Sequence, residues 1–143
     1  MPIHASETDS RPLVDVLASA RPDTRPAIDA VLAALKGLDA NSRTWIGDDL
    51  KRRIGEEGDG GGRRPDGFVV IYDPDDRALN YLLGSLRGMR RPVLLVVMKQ
   101  DGNLLPFDLR EFRFAIFDPT DTPASVRQVD WAIRLLVEQP AAA

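Results

Sequence analysis

Two spacings of apolar residues alternate along this chain, and the alternation predicts its elements. Leu13 to Ala18 is an apolar run broken only by Asp15 and predicts a first strand. Ile28, Val31, Leu32 and Leu35 then recur at helical spacing. Pro26 stands where a first helical turn tolerates proline, and Gly37 offers a C-terminal stop, so this stretch predicts an amphipathic helix. Arg43 to Ile46 predicts a short second strand, and Asp48 is placed to cap a brief helix carrying Leu50 and Ile54 on one side. Phe68 to Tyr72 and Val93 to Met98 are continuous apolar runs, the mark of strands buried on both faces of a parallel sheet. Between them, from Asp76, the helical period returns with Leu79, Leu82, Leu83 and Leu86. Arg113 to Phe117 predicts a fifth strand. Thr122 is expected to cap a last helix, with Pro123 at its first position and Val126, Val129, Ile133 and Leu136 facing inward.

Strands that alternate with helices imply a parallel sheet covered on both faces and connected by right-handed crossovers. The expected fold is therefore α/β, a flavodoxin-like three-layer sandwich around a five-stranded parallel sheet. A chain of 143 residues fits one domain. The domain is expected over residues 12–138, preceded by a flexible N-terminal arm, 1–11, and followed by a disordered tail, 139–143. Glu56 to Asp66 is a run of glycine and charge with little to bury, and it predicts a surface loop. Such glycines can cradle a phosphate only where a strand leads directly into a helix N-terminus, and this run leads into a strand instead.

Composition removes several chemistries. There is no cysteine and only one histidine, His4, so disulfides, thiolate or histidine-cluster metal sites and thiol nucleophiles are excluded. No metal or cofactor is expected. The apolar runs are too short to span a bilayer, and the first twelve residues lack the apolar stretch of a leader, so a cytoplasmic protein without membrane contact is expected. The net charge is −3, and the pairs Arg52-Arg53, Arg63-Arg64 and Arg90-Arg91 are separated by acidic stretches. That is not the basic stripe that nucleic acid requires.

In a sheet of this kind ligands bind outside the carboxyl ends of the strands, where strand order reverses between the first and third strands. The sequence brings Ser19, Arg21, Asp73, Asp75, Asp76 and the start of the helix carrying Tyr81 to that end. The aspartates have two readings: turn and cap chemistry at a helix start, or a carboxylate cluster able to act on a ligand. Asp73 also stands where a phospho-accepting receiver domain keeps its aspartate. Receivers, however, carry an acidic pair after strand one and a lysine after strand five, where this chain has Ser19-Ala20-Arg21 and Asp118-Pro119.

Three blocks carry a more specific likeness: Tyr81-Leu82-Leu83-Gly84, Arg91-Pro92-Val93 and Leu105-Pro106-Phe107-Asp108-Leu109-Arg110. Their order and spacing resemble the TIR-like and nucleoside 2-deoxyribosyltransferase-like superfamily. Asp15-Val16 with Ser19, and Trp45 with Asp48, resemble the first two strands of TIR domains. The resemblance implies cleavage of an N-glycosidic bond in nucleosides or NAD by a glutamate on the Tyr81 helix, because an oxocarbenium-like transition state needs a carboxylate beside the anomeric carbon. Leu82 holds that position here, and Ala78 and Leu86-Arg87 also depart from the pattern.

Two expectations follow. The first is a catalytically degenerate TIR-like module that binds a nucleotide-derived ligand through Ser19, Arg21, Asp73, Tyr81 and Asp108, or assembles with itself or a TIR-like partner domain in signalling or defence. The Arg87 to Arg91 edge beside Met89 is one surface for such assembly. The alternative is an active N-glycosidase or transferase in which Asp73, Asp75 or Asp76 replaces the glutamate. Tyr81 is read either as a stacking platform or as a core residue with a wet hydroxyl, Asn80 as facing solvent, and Asp108 as fixing its own loop through Arg110.

Overall fold

A computed structural model describes residues 10–56, 63–104 and 111–138. The chain runs β1 (Leu13–Ala18), α1 (Arg25–Gly37), β2 (Asn41–Ile46), α2 (Asp49–Glu56), β3 (Gly67–Ile71), α3 (Arg77–Leu86), β4 (Val93–Met98), β5 (Arg113–Phe117) and α4 (Thr122–Glu138), with short 3-10 turns at Pro22–Thr24 and Lys99–Leu104. All five strands are parallel, in the order β2-β1-β3-β4-β5, which is the flavodoxin-like arrangement. The apolar content of each strand matches its place: β1, β3 and β4 are buried along their whole length, and polar β2 lies at an edge.

Successive strand residues point to opposite faces, so one apolar run feeds two cores. Val14, Val16, Val69, Ile71, Leu94 and Val96 meet α1 and α4 on one face. Leu17, Phe68, Val70, Tyr72, Leu95 and Val97 meet α2 and α3 on the other. Leu79, Leu82, Leu83 and Leu86 seat α3, each 3% exposed or less. At about 1.5–3 kcal/mol for each leucine removed from water, that stripe contributes roughly 6–12 kcal/mol before chain entropy is subtracted. Packing, more than helix propensity, holds α3 in place.

The carboxylate of Asp76 accepts the amide of Leu79 at 2.9 Å, the N-cap bond that starts α3. Asp76→Ala should lower unfolding free energy by about 0.5–2 kcal/mol in urea denaturation. At α4 the expected cap is corrected. Thr122 lies inside the helix, and Asp121 accepts the amide of Ala124 at 3.3 Å. Val126 is also corrected: it is 38% exposed, because it sits to one side of the stripe formed by Ser125, Val129, Ile133 and Leu136. β2 starts at Asn41, two residues early, since its backbone pairs along β1 whatever its side chains are. β3 runs one residue earlier than its apolar pattern, from Gly67 to Ile71. Asp48 immediately precedes α2 but makes no capping bond, and Asp49 turns back to the amide of Ile46 at 3.4 Å.

After β2 the chain turns sharply at Gly47, whose φ of 63° favours glycine. A side chain there would also press on the Ala20 Cβ at 3.2 Å. The expected N-terminal arm up to residue 9, the tail, and most of the glycine-rich loop lie outside the described residues. Asp66, at the loop's end, is fixed: its carboxylate accepts the amide of Leu13 and the guanidinium of Arg63, both at 2.9 Å. Among the described residues no helix is long and apolar enough to cross a membrane.

Candidate functional site

The expected crevice lies at the carboxyl ends of the paired strands β1 and β3, where the chain leaves β1 toward α1 and leaves β3 toward α3. Ser19, the first residue after β1, is 3% exposed, and its Oγ accepts the amide of Arg21 at 3.2 Å. Thr24, fully buried, donates its hydroxyl to the Arg21 carbonyl at 2.7 Å. These two local bonds clamp the loop on both sides of Arg21 and send its side chain across the strand ends.

Three carboxylates receive it. Arg21 contacts Asp73 after β3 at 3.3 Å, Asp101 in the turn after β4 through a short bond, and Asp23 on its own loop. Asp73 and Asp101 are each 5% exposed. Gln100 donates to Asp23 and ties the turn after β4 to the loop after β1. Burial opposes the charged form of Arg21, but the hydrogen bonds and attraction of Asp101 and Asp23 outweigh it and raise the guanidinium above its ordinary value. Arg21 is a permanent cation spanning three strand ends.

Ser19, Arg21 and Asp73 are thus brought together as the sequence suggested. The rest of the expected site separates from them. Asp73 accepts the amide of Asp75 at 3.0 Å, a turn bond, while the Asp75 side chain is exposed. Asp76 is occupied as the N-cap. Asn80 does not simply face solvent, because its amide donates to the carbonyls of Asp73 at 3.1 Å and Asp76 at 2.7 Å and reinforces the same turn. Tyr81 is 59% exposed on the side of α3 away from its leucine stripe, which corrects the core reading and leaves it out of the Arg21 network. Asp108 and its whole block lie outside the described residues. Asp101 and Asp23 were missed. The available signal for Asp101 was its place just after β4, which neighbours β3 and therefore ends at the same crevice.

Leu82 points the other way. It is 1% exposed and packs in the core formed with Phe68, Val70 and Leu95. Only apolar contacts await a side chain there. In the crevice itself three carboxylates face one guanidinium, a formal excess of negative charge suited to hydroxyl donors or cations and opposed to phosphate. Among the described residues no group of three or more acidic or histidine side chains is arranged to hold a metal ion.

Asp15 and Trp45, two of the residues behind the TIR-like resemblance, belong to a separate cluster. Asp15 and Arg43 are register partners on β1 and β2. Asp15 is fully buried and receives Arg43 through two bonds, at 2.8 and 3.3 Å, and Arg53 of α2 at 3.4 Å. The guanidinium carbons of Arg52 and Arg53 lie 5.1 and 5.8 Å from the Trp45 ring centre. This cluster fastens α2 over the sheet's polar edge.

After β5, Asp118 accepts the hydroxyl of Thr120 at 2.7 Å and its amide at 2.9 Å, with Lys99 at 3.3 Å. These contacts, the Thr120 hydroxyl foremost, hold its carboxyl below the ordinary value of 3.8. A lowered folded-state value gives stability that is present above the unfolded value and lost as pH falls through the folded one. Asp118→Asn should therefore flatten the decline of stability below about pH 4, read by urea melts across acid pH.

No protein-family profile matches the chain, and no curated protein matches it significantly.

Proposed function

We propose that this chain is a catalytically degenerate module of the TIR-like and deoxyribosyltransferase-like kind, a recognition scaffold that does not cleave glycosidic bonds. The observation that carries this reading is the burial of Leu82: the position the resemblance gives to the catalytic glutamate lies in an apolar core, away from the crevice. Two of the three substitute acids are also engaged. Asp73 is bound to Arg21 and a backbone amide, Asp76 caps α3, and Asp75 is exposed. The active-glycosidase alternative would need Asp73 or Asp76 to leave its present partners, or the exposed Asp75 to turn toward the strand ends.

The charge balance of the crevice narrows the ligand. A nucleotide-derived molecule would offer ribose hydroxyls or a cationic base to Asp73 and Asp101, and keep its phosphates away from them. Incubation with NAD, nucleosides and cyclic dinucleotides should yield no free base by chromatography, while calorimetry should favour nicotinamide riboside over its phosphate. Base release that vanishes in an Asp73→Asn, Asp75→Asn, Asp76→Asn variant would instead establish the glycosidase.

A further inference from the structure

The strand order leaves β1 and β4 two places apart, with β3 between them. At the usual strand spacing their ends are about 10 Å from one another, and the turn after β4 closes that distance with side chains. Three successive residues of the turn each reach a different partner. Lys99 pairs with Asp118 after β5 at 3.3 Å, Gln100 donates to Asp23, and Asp101 accepts from Arg21. Asp23 and Arg21 both belong to the segment after β1. The turn is therefore tied to the loops on either side of it, across the end of β3 and the Asp73 carboxylate that also meets Arg21.

No apolar packing backs these ties. Lys99, Gln100, Asp101 and Gly102 give no side chain to either core, whereas β4 is buried up to its last residue, Met98. Lys99, Gln100, Asp23 and their bonds lie in water, where polar links of this kind each stabilise by little. Asp101 is the buried member, and closure takes its carboxylate and part of the Arg21 guanidinium out of water. Opening rehydrates both ions, which offsets much of the attraction that is lost. A segment with few apolar contacts opens at a lower free energy than the sheet it rests on.

We propose that residues 99–101 form a strap across the strand ends, which opens while the sheet stays folded and so gates access to Ser19 and Asp73. Its latch is the Arg21–Asp101 pair, with Gln100–Asp23 and Lys99–Asp118 as weaker ties at the rim. As a means of regulating binding, the strap rests on the reading of the crevice as a ligand site. The opening itself does not.

The chain has no cysteine, so a single introduced thiol reports on one position. Ser19→Cys puts it in the crevice, and Val70→Cys puts it in the middle of β3 as a reference that only global unfolding exposes. With dithionitrobenzoate in excess, Ser19→Cys should react much faster than Val70→Cys. Its rate should change little in low urea, because local opening exposes little surface. Adding Asp101→Asn should speed Ser19→Cys roughly tenfold, the scale of weakening one charge-assisted hydrogen bond, and speed Val70→Cys less. Should Asp101→Asn fail a circular dichroism check for folding, Gln100→Ala changes only an exposed side chain and should act in the same direction. Labelling of Ser19→Cys that is as slow and as urea-dependent as that of Val70→Cys overturns the proposal, and so does labelling indifferent to the folded strap variants. Nicotinamide riboside in the crevice should slow the reaction of Ser19→Cys. A rate that responds to the strap variants and not to the riboside upholds the strap and counts against the ligand reading.

Discussion

Leu82→Glu, the change that restores the acid expected from the TIR-like resemblance, should unfold the domain and confer no glycosidase activity. The new carboxyl would lie between Phe68, Val70 and Leu95. Burying it without a hydrogen-bond partner should cost at least about 4 kcal/mol, whether the group stays ionised or takes up a proton. A domain of this size has about 5–15 kcal/mol in total, so most or all of its cooperative transition should be lost in urea. Leu82→Met, which preserves volume, should cost less than about 1.5 kcal/mol and serves as the control. A folded Leu82→Glu protein that releases nicotinamide from NAD would contradict both the packing and the functional reading.

Asp15→Ala should be the second severe lesion. It leaves Arg43 and Arg53 facing each other with no anion between them, and Arg53 is only 12% exposed. Breaking a buried pair in this way costs about 3–5 kcal/mol, and the partial exposure of Arg43 places the expectation near the lower figure. Replacing all three charges together, as Asp15→Leu, Arg43→Met and Arg53→Met, should recover most of the loss, because the desolvation of the ions disappears with their attraction. Equal destabilisation of the single and triple variants in urea would mean that the charges hold α2 in a way hydrophobic contact does not replace.

The elements of this fold were legible where periodicity was long and the burial two-sided. β1, β4 and β5 have the boundaries their apolar runs suggest, and α3 follows its four leucines. Sequence failed where one residue decides between neighbours: Asp121, not Thr122, takes the free amide at α4, and Val126 lies just off the inward stripe. The site was half legible. Ser19, Arg21 and Asp73 could be placed from strand ends alone, because topology fixes which loops meet. Asp101 was within reach of the same reasoning, since the flavodoxin-like order sets β4 beside β3, but its bond to Arg21 depends on where the turn after β4 sets that side chain. Asp15 interrupts an apolar run, yet no local pattern reveals that its partners come from β2 and α2. Tyr81 illustrates the opposite failure, since a motif resemblance singled out a side chain that the leucine stripe turns toward water.

The crevice holds a tethered competitor. Arg21 already occupies the carboxylates that an incoming molecule would have to engage, and being part of the chain it is always at saturating local concentration. A ligand that took the carboxylate oxygens now bonded to Arg21 would bind only in the fraction of time the guanidinium had swung out, and its measured affinity would be the intrinsic one scaled down by that fraction. Selectivity then favours molecules that present a similar planar cation and can take the arginine's place without leaving Asp73 and Asp101 bare.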